Sequence, residues 1–256
     1  MLRKRIIFSL IYESGVFNQS RNFRLQKAGN LNWLKRNYNF KEIAFSLDEL
    51  IVLNASKGEK KIEEFAKILE GIVEDVFIPI AAGGGVRDID DAKLLFNSGA
   101  DKLVLNSLLY KNPDIVREIV KQYGSQSVIA SIDYKTIDEN NFIFINDGMQ
   151  KIDMTLNQYI DYTQNLGVGE LYLNSIDNDG TGFGYDFDTI DKVANTIKVP
   201  LIIVGGAGNE SHLIQGLKRE KVDAVATANL FNFVGNGLPN ARKKIIEENL
   251  NIARWI

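Results

Sequence analysis

The stretch PIAAGGGVRDIDDAKLLFNSGADKLVLNS, from Pro79 to Ser107, decides the fold because most of it is written twice. The second copy is PLIIVGGAGNESHLIQGLKREKVDAVATAN, from Pro200 to Asn229. Each copy runs from a proline-led apolar segment into a glycine cluster and then a helical pattern. An aspartate, Asp101 or Asp223, next opens another apolar run. This order predicts a strand, a glycine loop, a helix and a parallel strand, which is a βαβ unit.

Apolar runs of strand length recur along the whole chain, with amphipathic stretches of helical length between them. The runs are 5–11, 49–54, 78–82, 102–106, 127–133, 170–174, 201–205 and 223–227. The helical stretches include 62–73, 88–98, 113–123 and 185–196. Strands that are apolar on both faces and alternate with helices predict a parallel sheet. Eight such repeats predict an α/β protein, a single closed (β/α)8 TIM barrel over residues 1–256, with its site at the C-terminal ends of the strands.

The repeat extends beyond the two glycine segments. IIFSLIY at 6–12 aligns with VIASIDY at 128–134, and ELIVLN from Glu49 aligns with ELYLNS from Glu170. We therefore predict two duplicated half-barrels, about 1–124 and 125–256. One asymmetry stands out, since Asp133 has Ile11 as its partner. The segment NNFIFINDGMQKID at 140–153 alternates and contains Asp-Gly, which predicts a hairpin in the loop after strand five.

Composition narrows the possible chemistry. The 30 Lys and Arg residues nearly balance 33 Asp and Glu residues, which gives no electrostatic case for nucleic acid or an anionic membrane. The absence of cysteine excludes disulfides, thiolate nucleophiles and most zinc sites. The single histidine, His212, is interpreted as a helix-start residue, because no second His or Cys could share a metal with it. We predict no metal and no cofactor, and any catalysis must use carboxylates, amides, lysine or backbone groups.

The N-terminal segment MLRKRIIFSLIYESG has two basic pairs and a short apolar run. A signal peptide would have a longer apolar region that ends at a small-residue cleavage site. No apolar stretch reaches the roughly 18 residues of a membrane span. The sequence therefore predicts a soluble cytoplasmic protein with no membrane partner.

The two glycine clusters predict two phosphate cradles facing each other across the barrel mouth. Backbone N–H groups at the end of a strand can surround an anion, and a following helix N-terminus adds a positive end. The alternative is that these glycines only make tight βα turns. The residues of the first cradle are Gly84, Gly85, Asn106 and Ser107, and those of the second are Gly205, Gly206, Ala228 and Asn229. Two equivalent cradles favour a substrate with a phosphate at each end.

Three aspartates fall where a barrel places its active site. Asp133 closes strand five, and Asp177 and Asp179 lie just beyond strand six in NSIDNDGTGFGYD. A carboxylate with a pKa tuned by its surroundings can act there as a general acid or base. For Asp177 and Asp179 the alternative is a polar turn, which Asp-Asn-Asp-Gly serves well.

A further set of charges opens strands one, two, four and six at the opposite rim. Turned inward, these side chains would form a ring of two positive and two negative charges at the bottom of the barrel. Turned outward, they would be ordinary solvated strand ends. They are Arg5, Glu49, Lys102 and Glu170.

The chain resembles the cyclase subunit of imidazole glycerol phosphate synthase, the HisF family, over nearly its whole length. The matching stretches are LRKRII, VFIPIAAGGGVRDIDDAKLLFNSGADKLVLNS, GSQSVIASIDYK, NSIDNDGTGFGYD and VGGAGNESH. This resemblance implies a (β/α)8 barrel that pairs, at its N-terminal face, with a glutaminase subunit of the HisH type. Ammonia released by the glutaminase would pass through the barrel to a doubly phosphorylated substrate. The products would be imidazole glycerol phosphate, for histidine biosynthesis, and an aminoimidazole carboxamide ribotide.

The resemblance also assigns residues to roles. Arg5, Glu49, Lys102 and Glu170 match the family's ammonia gate, and Asp101 matches a position that contacts the glutaminase. Asp133 matches one of two catalytic aspartates, and Asp177 and Asp179 match acids near the substrate. The matches to phosphate-binding positions are Gly85, Asn106, Ser107, Gly206 and Asn229.

Five positions depart from the family pattern at the top of the barrel. Ile11 replaces the second catalytic aspartate, and Gln19 replaces a lysine near the substrate. Strand two ends at Asn54 instead of an aspartate, with a shortened loop, and Asn174 and Val204 replace small hydroxyl residues. Loss of one of two cooperating acids costs orders of magnitude in rate.

The departures favour a paralogue that still receives ammonia but no longer closes an imidazole ring. It would deliver ammonia to a third protein, an amidotransferase that amidates a nucleotide-linked or surface sugar. The alternative is a genuine cyclase of histidine biosynthesis in which Asp133, helped by Asp177, carries the chemistry. The sister isomerase of the pathway also relies on an acid at the end of strand one, so Ile11 counts against it. A phosphosugar-binding module is the fourth reading.

Overall fold

The fold is a closed barrel of eight parallel strands. The computed structural model describes residues 3–38 and 40–254, so Met1 and Leu2 of the basic N-terminal segment lie outside the described residues. With strands numbered in chain order, the barrel consists of β1 (Arg5–Glu13), β4 (Glu49–Asn54), β5 (Ile80–Gly83), β6 (Lys102–Leu105), β7 (Val128–Ile137), β10 (Glu170–Ser175), β11 (Leu201–Val204) and β12 (Ala224–Thr227).

Strand pairing closes the barrel without an edge. β1 pairs in parallel with both β4 and β12, so the first strand joins the last. The remaining neighbours, through β5, β6, β7, β10 and β11, are also parallel. The predicted (β/α)8 TIM barrel is therefore confirmed.

The helices lie between the strands as the periodicity predicts. They are α1 (Leu31–Tyr38), α2 (Ile62–Val73), α3 (Ile89–Asn97), α4 (Ser107–Lys111), α5 (Pro113–Tyr123), α6 (Leu156–Gln164), α7 (Phe187–Val193), α8 (Glu210–Leu217) and α9 (Gly237–Glu247). The predicted bounds of α2 and α5 are confirmed to the residue. The side chain of Asp88 accepts a hydrogen bond from the Asp91 N–H and so caps α3. The predicted 185–196 helix is shorter in the structure, because α7 passes into a 3-10 turn at Ala194–Thr196. In the described residues, no helix has the length and apolar character needed to cross a membrane.

Two β-hairpins extend from the barrel mouth, one after β1 and one after β7. The second, β8 (Asn140–Ile145) with β9 (Gln150–Thr155), confirms the predicted hairpin. The first, β2 (Val16–Arg21) with β3 (Arg24–Gly29), was not predicted. Its two-residue turn has positive φ at Asn22 (49°) and Phe23 (62°), as a type I′ turn requires. The sequence did not predict this turn because Phe23 stands where a type I′ turn usually has glycine.

Alternation along the strands separates two apolar layers. One face packs against the helices and forms the larger core. The other face fills the barrel with a smaller cluster that includes Ile7, Ile51, Val104, Ile129 and Tyr172. In β1 the inward residues follow the order Arg5, Ile7, Ser9 and Ile11 from bottom to mouth. The interior is therefore charged at the bottom and apolar in the middle, and at the mouth its character differs from strand to strand.

Candidate functional site

The four charges at the bottom of the barrel form a closed ring. Arg5 Nη1 lies 2.7 Å from Glu49 Oε2, and Arg5 Nη2 lies 2.6 Å from Glu170 Oε2. Lys102 Nζ lies 3.1 Å from the Glu49 carboxylate and 2.6 Å from Glu170 Oε1. The carboxylate side chains are only 3% and 9% exposed, which rules out the solvated strand ends considered from the sequence. Each acid contacts both bases, so the ring pairs two basic with two acidic side chains.

The pKa values of the two acids in the ring shift in opposite directions. Burial alone would raise the pKa of Glu170, but the nearby charge and hydrogen bonds of Arg5, followed by those of Lys102, outweigh burial and hold it below its usual value. Glu170 is therefore an ionised partner for both bases at neutral pH. At Glu49 burial outweighs the charges of Lys102 and Arg5 and raises the pKa, so the two carboxylates are not equivalent.

Two hydroxyl groups meet inside the barrel between the ring and the mouth. Ser9 Oγ and Tyr172 Oη lie 2.9 Å apart, and both residues are buried. Ser9 belongs to β1 and Tyr172 to β10, which are separated by β11 and β12, so this hydrogen bond crosses the interior. Sequence reasoning missed it, because periodicity gives no sign of which strands face each other across a barrel.

Asp133 is held at the mouth by two amides. Asn106 Nδ2 donates to Asp133 Oδ2 at 3.1 Å, and Asn174 Nδ2 donates to Asp133 Oδ1 at 3.0 Å. Burial raises the pKa of Asp133 to about 7, even though the hydrogen bond from Asn174 works against this rise. At neutral pH this carboxyl can therefore give or take a proton. Among the described residues, buried Asn174 Oδ1 has no hydrogen-bond partner.

The equivalent place in the first half is apolar. Ile11 of β1 pairs in register with Leu53 of β4, as Asp133 of β7 pairs with Asn174 of β10. Both the acid and the amide beside it are thus replaced. The first half of the mouth has no carboxylate in this register position.

The first predicted cradle lies at the ends of β5 and β6. Gly84 has φ of 90°, and a Cβ on it would lie 2.1 Å from the carbonyl oxygen of Asn54, so only glycine fits. Gly85 packs against Lys60, whose Nζ lies 2.7 Å from Asp147 Oδ1. Ser107 Oγ donates to Asn106 Oδ1 and accepts the Asn146 N–H at 2.9 Å. The structure thus places a cation, Lys60, beside the first cradle, where no sequence motif had indicated one.

The second predicted cradle lines a small enclosed cavity of about 10 Å³. The structure brings its predicted members together with Asp179 and adds Gln19 and Val204. The residues that line the cavity are Gln19, Asp179, Gly180, Val204, Gly205, Gly206, Ala207, Thr227, Ala228 and Asn229. Gln19 Oε1 accepts the Leu230 N–H at 2.7 Å. Gln19 of the first hairpin therefore forms one wall of the second cradle.

Asp177 and Asp179 hold the two hairpins to the β10–α7 loop. Asp177 Oδ2 accepts the Thr136 N–H at 2.8 Å, next to the second hairpin. Asp179 Oδ2 accepts the Phe23 N–H at 3.0 Å and the Ser20 hydroxyl, in the first hairpin. Burial raises the pKa of Asp179. The Asp133 carboxyl is hydrogen-bonded to Asn106 and Asn174, whereas the Asp177 carboxylate is hydrogen-bonded to Thr136. The two acids therefore share no hydrogen-bond partner.

The hairpin tips meet above the mouth. A Cβ on Gly148, in the tip of the second hairpin, would lie 2.6 Å from Cδ2 of Phe23, in the tip of the first. Asn22 Nδ2 donates to the carbonyl oxygens of Ile176 and Asp177 at 3.1 and 2.8 Å. The mouth is therefore covered by two hairpins that touch each other.

Two further predicted residues have defined contacts. The carboxylate of exposed Asp101 accepts the Ile80 N–H at 2.8 Å, as Asp223 accepts the Leu201 N–H. The aspartates that open these apolar runs thus connect neighbouring strands at the bottom of the barrel. His212 lies in the first turn of α8, where its Nδ1 accepts the Gly208 N–H, which confirms its helix-start position.

Comparison with known proteins agrees with this geometry. The model of the family described as "Histidine biosynthesis protein" matches residues 26–235. The chain is 43% identical to the "Putative imidazole glycerol phosphate synthase subunit hisF2" of Parasynechococcus marenigrum, covering 100% of this chain and 95% of that protein. It is 35% and 32% identical to the imidazole glycerol phosphate synthase subunits HisF of Chlorobium limicola and Chlorobium phaeovibrioides, in each case over 98% of this chain and 99% of the relative. The chain therefore belongs to the histidine biosynthesis protein family, as a divergent paralogue of HisF.

Proposed function

We propose that this barrel passes ammonia from a separate glutaminase subunit to its mouth without closing an imidazole ring. The observation that carries this proposal is the closed ring of Arg5, Glu49, Lys102 and Glu170 at the bottom of the barrel. A buried ion-pair ring is expensive to desolvate and gives little net stability, so folding alone does not account for it. A role in controlling the passage of ammonia would account for the ring.

The ring can open at Lys102 more easily than at Arg5. Arg5 uses a separate guanidinium nitrogen for each carboxylate, whereas Lys102 presents one ammonium group to both. An ammonium on a flexible stem can swing away, while a planar guanidinium held by two acids is fixed. Ammonia admitted there would then meet the apolar interior and the hydroxyls of Ser9 and Tyr172.

Features of the bottom face support docking of the glutaminase there. Exposed Phe45 and Phe77 precede β4 and β5, so they lie on the same face as the ring, and they are 61% and 77% exposed. Exposed aromatic side chains are typical of protein interfaces. Asp101 lies at the same face and offers a negative charge beside this surface.

Features of the mouth support delivery to a third protein. Ile11 and Leu53 leave the first half of the mouth without a counterpart to Asp133, so a pair of equivalent acids is missing at this register position. Phe183 and Phe231, in the loops after β10 and β12, are 88% and 47% exposed. We infer that the receiving protein is the one that activates and amidates a sugar, and that it covers this rim.

The test uses the purified chain and a HisH-type glutaminase from the same genome. Asp101→Lys should weaken binding in sedimentation experiments, and Lys102→Glu should release ammonia to solvent when glutamine is hydrolysed. Asp114→Lys is the control, because Asp114 lies at the start of α5, near the opposite face of the barrel. Normal binding by Asp101→Lys together with tight ammonia transfer by Lys102→Glu would refute the proposal.

A further inference from the structure

The two cradles at the barrel mouth are not equivalent in the folded protein. The first has the cationic side chain of Lys60 against Gly85. The second has the neutral side chain of Gln19 among its lining residues. We propose that Gln19 is a specificity-determining residue that fills the second cradle, so that this barrel accepts ligands with a single phosphate, bound in the first. This inference rests on the cradles of the proposed site but not on ammonia transfer.

Two backbone donors at the edge of the second cradle, the N–H groups of Asn229 and Leu230, already have acceptors within the chain. Gln19 Oε1 accepts the Leu230 N–H at 2.7 Å, and Thr227 Oγ1 accepts the Asn229 N–H at 3.2 Å. The amide of Gln19 is itself fixed, since Nε2 donates to the Ser20 carbonyl oxygen at 3.1 Å. A phosphate oxygen at this place would have to displace Gln19 to reach the Leu230 N–H.

The space in the second cradle is also too small. Its enclosed volume of about 10 Å³ corresponds to roughly one water molecule. A phosphate group is several times larger, so it could enter only if a wall of the cavity moved. A Cβ on either glycine would lie within 2.6 Å of a neighbouring carbonyl oxygen, from Ser175 or Gly184. The movable wall of the cavity is therefore Gln19 on its hairpin.

The charges near the two cradles also favour phosphate binding at the first cradle over the second. Asp179 lines the second cavity, and its carboxylate is held in place by the Phe23 N–H and the Ser20 hydroxyl. A phosphate dianion is repelled by a neighbouring carboxylate, and low local polarity strengthens the repulsion. At the first cradle the cation Lys60 is paired with Asp147 of the hairpin tip. A phosphate can take the place of Asp147 there as the partner of Lys60.

The test is a calorimetric titration of the intact chain with inorganic phosphate. Crystals soaked in arsenate then locate each bound anion. The wild-type chain should bind one anion, and Lys60→Met should weaken that site at least tenfold. Gln19→Ala should gain a second anion at Gly205 and Gly206, and Gln19→Lys should bind it more tightly than Gln19→Ala. Gln26→Ala is the matched control, because Gln26 pairs with Gln19 across the same hairpin but is exposed.

The possible outcomes separate this inference from the proposed function. Two anions on the wild-type chain, or no second anion in either Gln19 variant, would overturn the role of Gln19. No anion on the wild-type chain with one gained in Gln19→Ala would refute the first cradle and leave the role of Gln19 supported. A second anion gained by Gln26→Ala as well would show a loosened hairpin and overturn the specific role of Gln19.

Discussion

Ile11 lies at the place in β1 that Asp133 occupies in β7. Both residues end the inward-facing series of their strands, and each pairs in register with the strand that follows in the barrel. The neighbours differ in the same way, since Leu53 lies beside Ile11 and Asn174 lies beside Asp133. At this register position one half of the mouth therefore has a buried acid held by amides, and the other half has two apolar side chains.

This relationship predicts that an acid at position 11 needs its own amide. Ile11→Asp alone should lower the free energy of unfolding by about 1–3 kcal/mol, because the carboxylate would lie against Leu53 without a donor. Leu53→Asn in the same chain should recover part of that loss, as Asn174 supports Asp133. Urea unfolding of both single variants and the double variant gives the coupling energy. If the losses in unfolding free energy of the two single variants add up to the loss of the double variant, the prediction is contradicted.

Loss of a ring charge should cost far more than loss of a surface charge. Lys102→Met leaves Glu49 and Glu170 with Arg5 as their shared partner, and we expect a loss of about 2–4 kcal/mol in unfolding free energy. Lys61→Met is the matched control, since its bridge to Glu64 is exposed on both sides. Urea midpoints for the two variants decide the question. Equal midpoints would show that the ring is not electrostatically coupled.

Asp133 should make stability depend on pH. Burial raises its pKa to about 7, so the folded protein binds this proton more tightly than the unfolded chain does. Its contribution to stability is fully present below pH 4 and is lost as the pH rises through about 7. Between pH 5 and pH 8 the free energy of unfolding should fall by about 2–3 kcal/mol more in the wild type than in Asp133→Asn. The same fall in both proteins would contradict the buried, protonated carboxyl.

The side chain of Asn22 should hold the first hairpin closed. Asn22→Gly keeps the left-handed backbone but removes two hydrogen bonds to the β10–α7 loop, and we expect about tenfold faster amide exchange over residues 14–29. Asn146→Gly is the control, since Asn146 also has positive φ in a hairpin tip. Exchange measured by mass spectrometry compares the two variants. Unchanged exchange in Asn22→Gly would show that other contacts hold the hairpin.

The sequence predicts the barrel well because its strands and helices are local patterns. Alternation of apolar runs with amphipathic stretches is a property of neighbouring residues, and it placed α2 and α5 at their observed bounds. The bottom ring could be expected only after the family resemblance was considered, since a charged strand end alone does not show where its side chain points. The division into two half-barrels stays a prediction.

The contacts that the sequence did not predict join residues far apart in the chain. Gln19 and Leu230 meet only because the barrel closes and the first hairpin folds over β12. The hairpin itself escaped notice because Asn22-Phe23 lacks the usual glycine. The hydrogen bond between Ser9 and Tyr172 depends on which strands face each other across the interior. None of these relations is encoded in a periodic pattern.

The proposed function is tested most directly by turnover of the family's phosphoribulosyl-formimino substrate in excess ammonium salt. Ammonium removes the need for a glutaminase, so the assay reports only on ring closure at the mouth. The wild-type chain should form no imidazole product above the uncatalysed background, because Ile11 supplies no acid. Product formed at the roughly 1–1,000 turnovers per second of an ordinary enzyme would contradict the proposal that this barrel delivers ammonia without cyclising it.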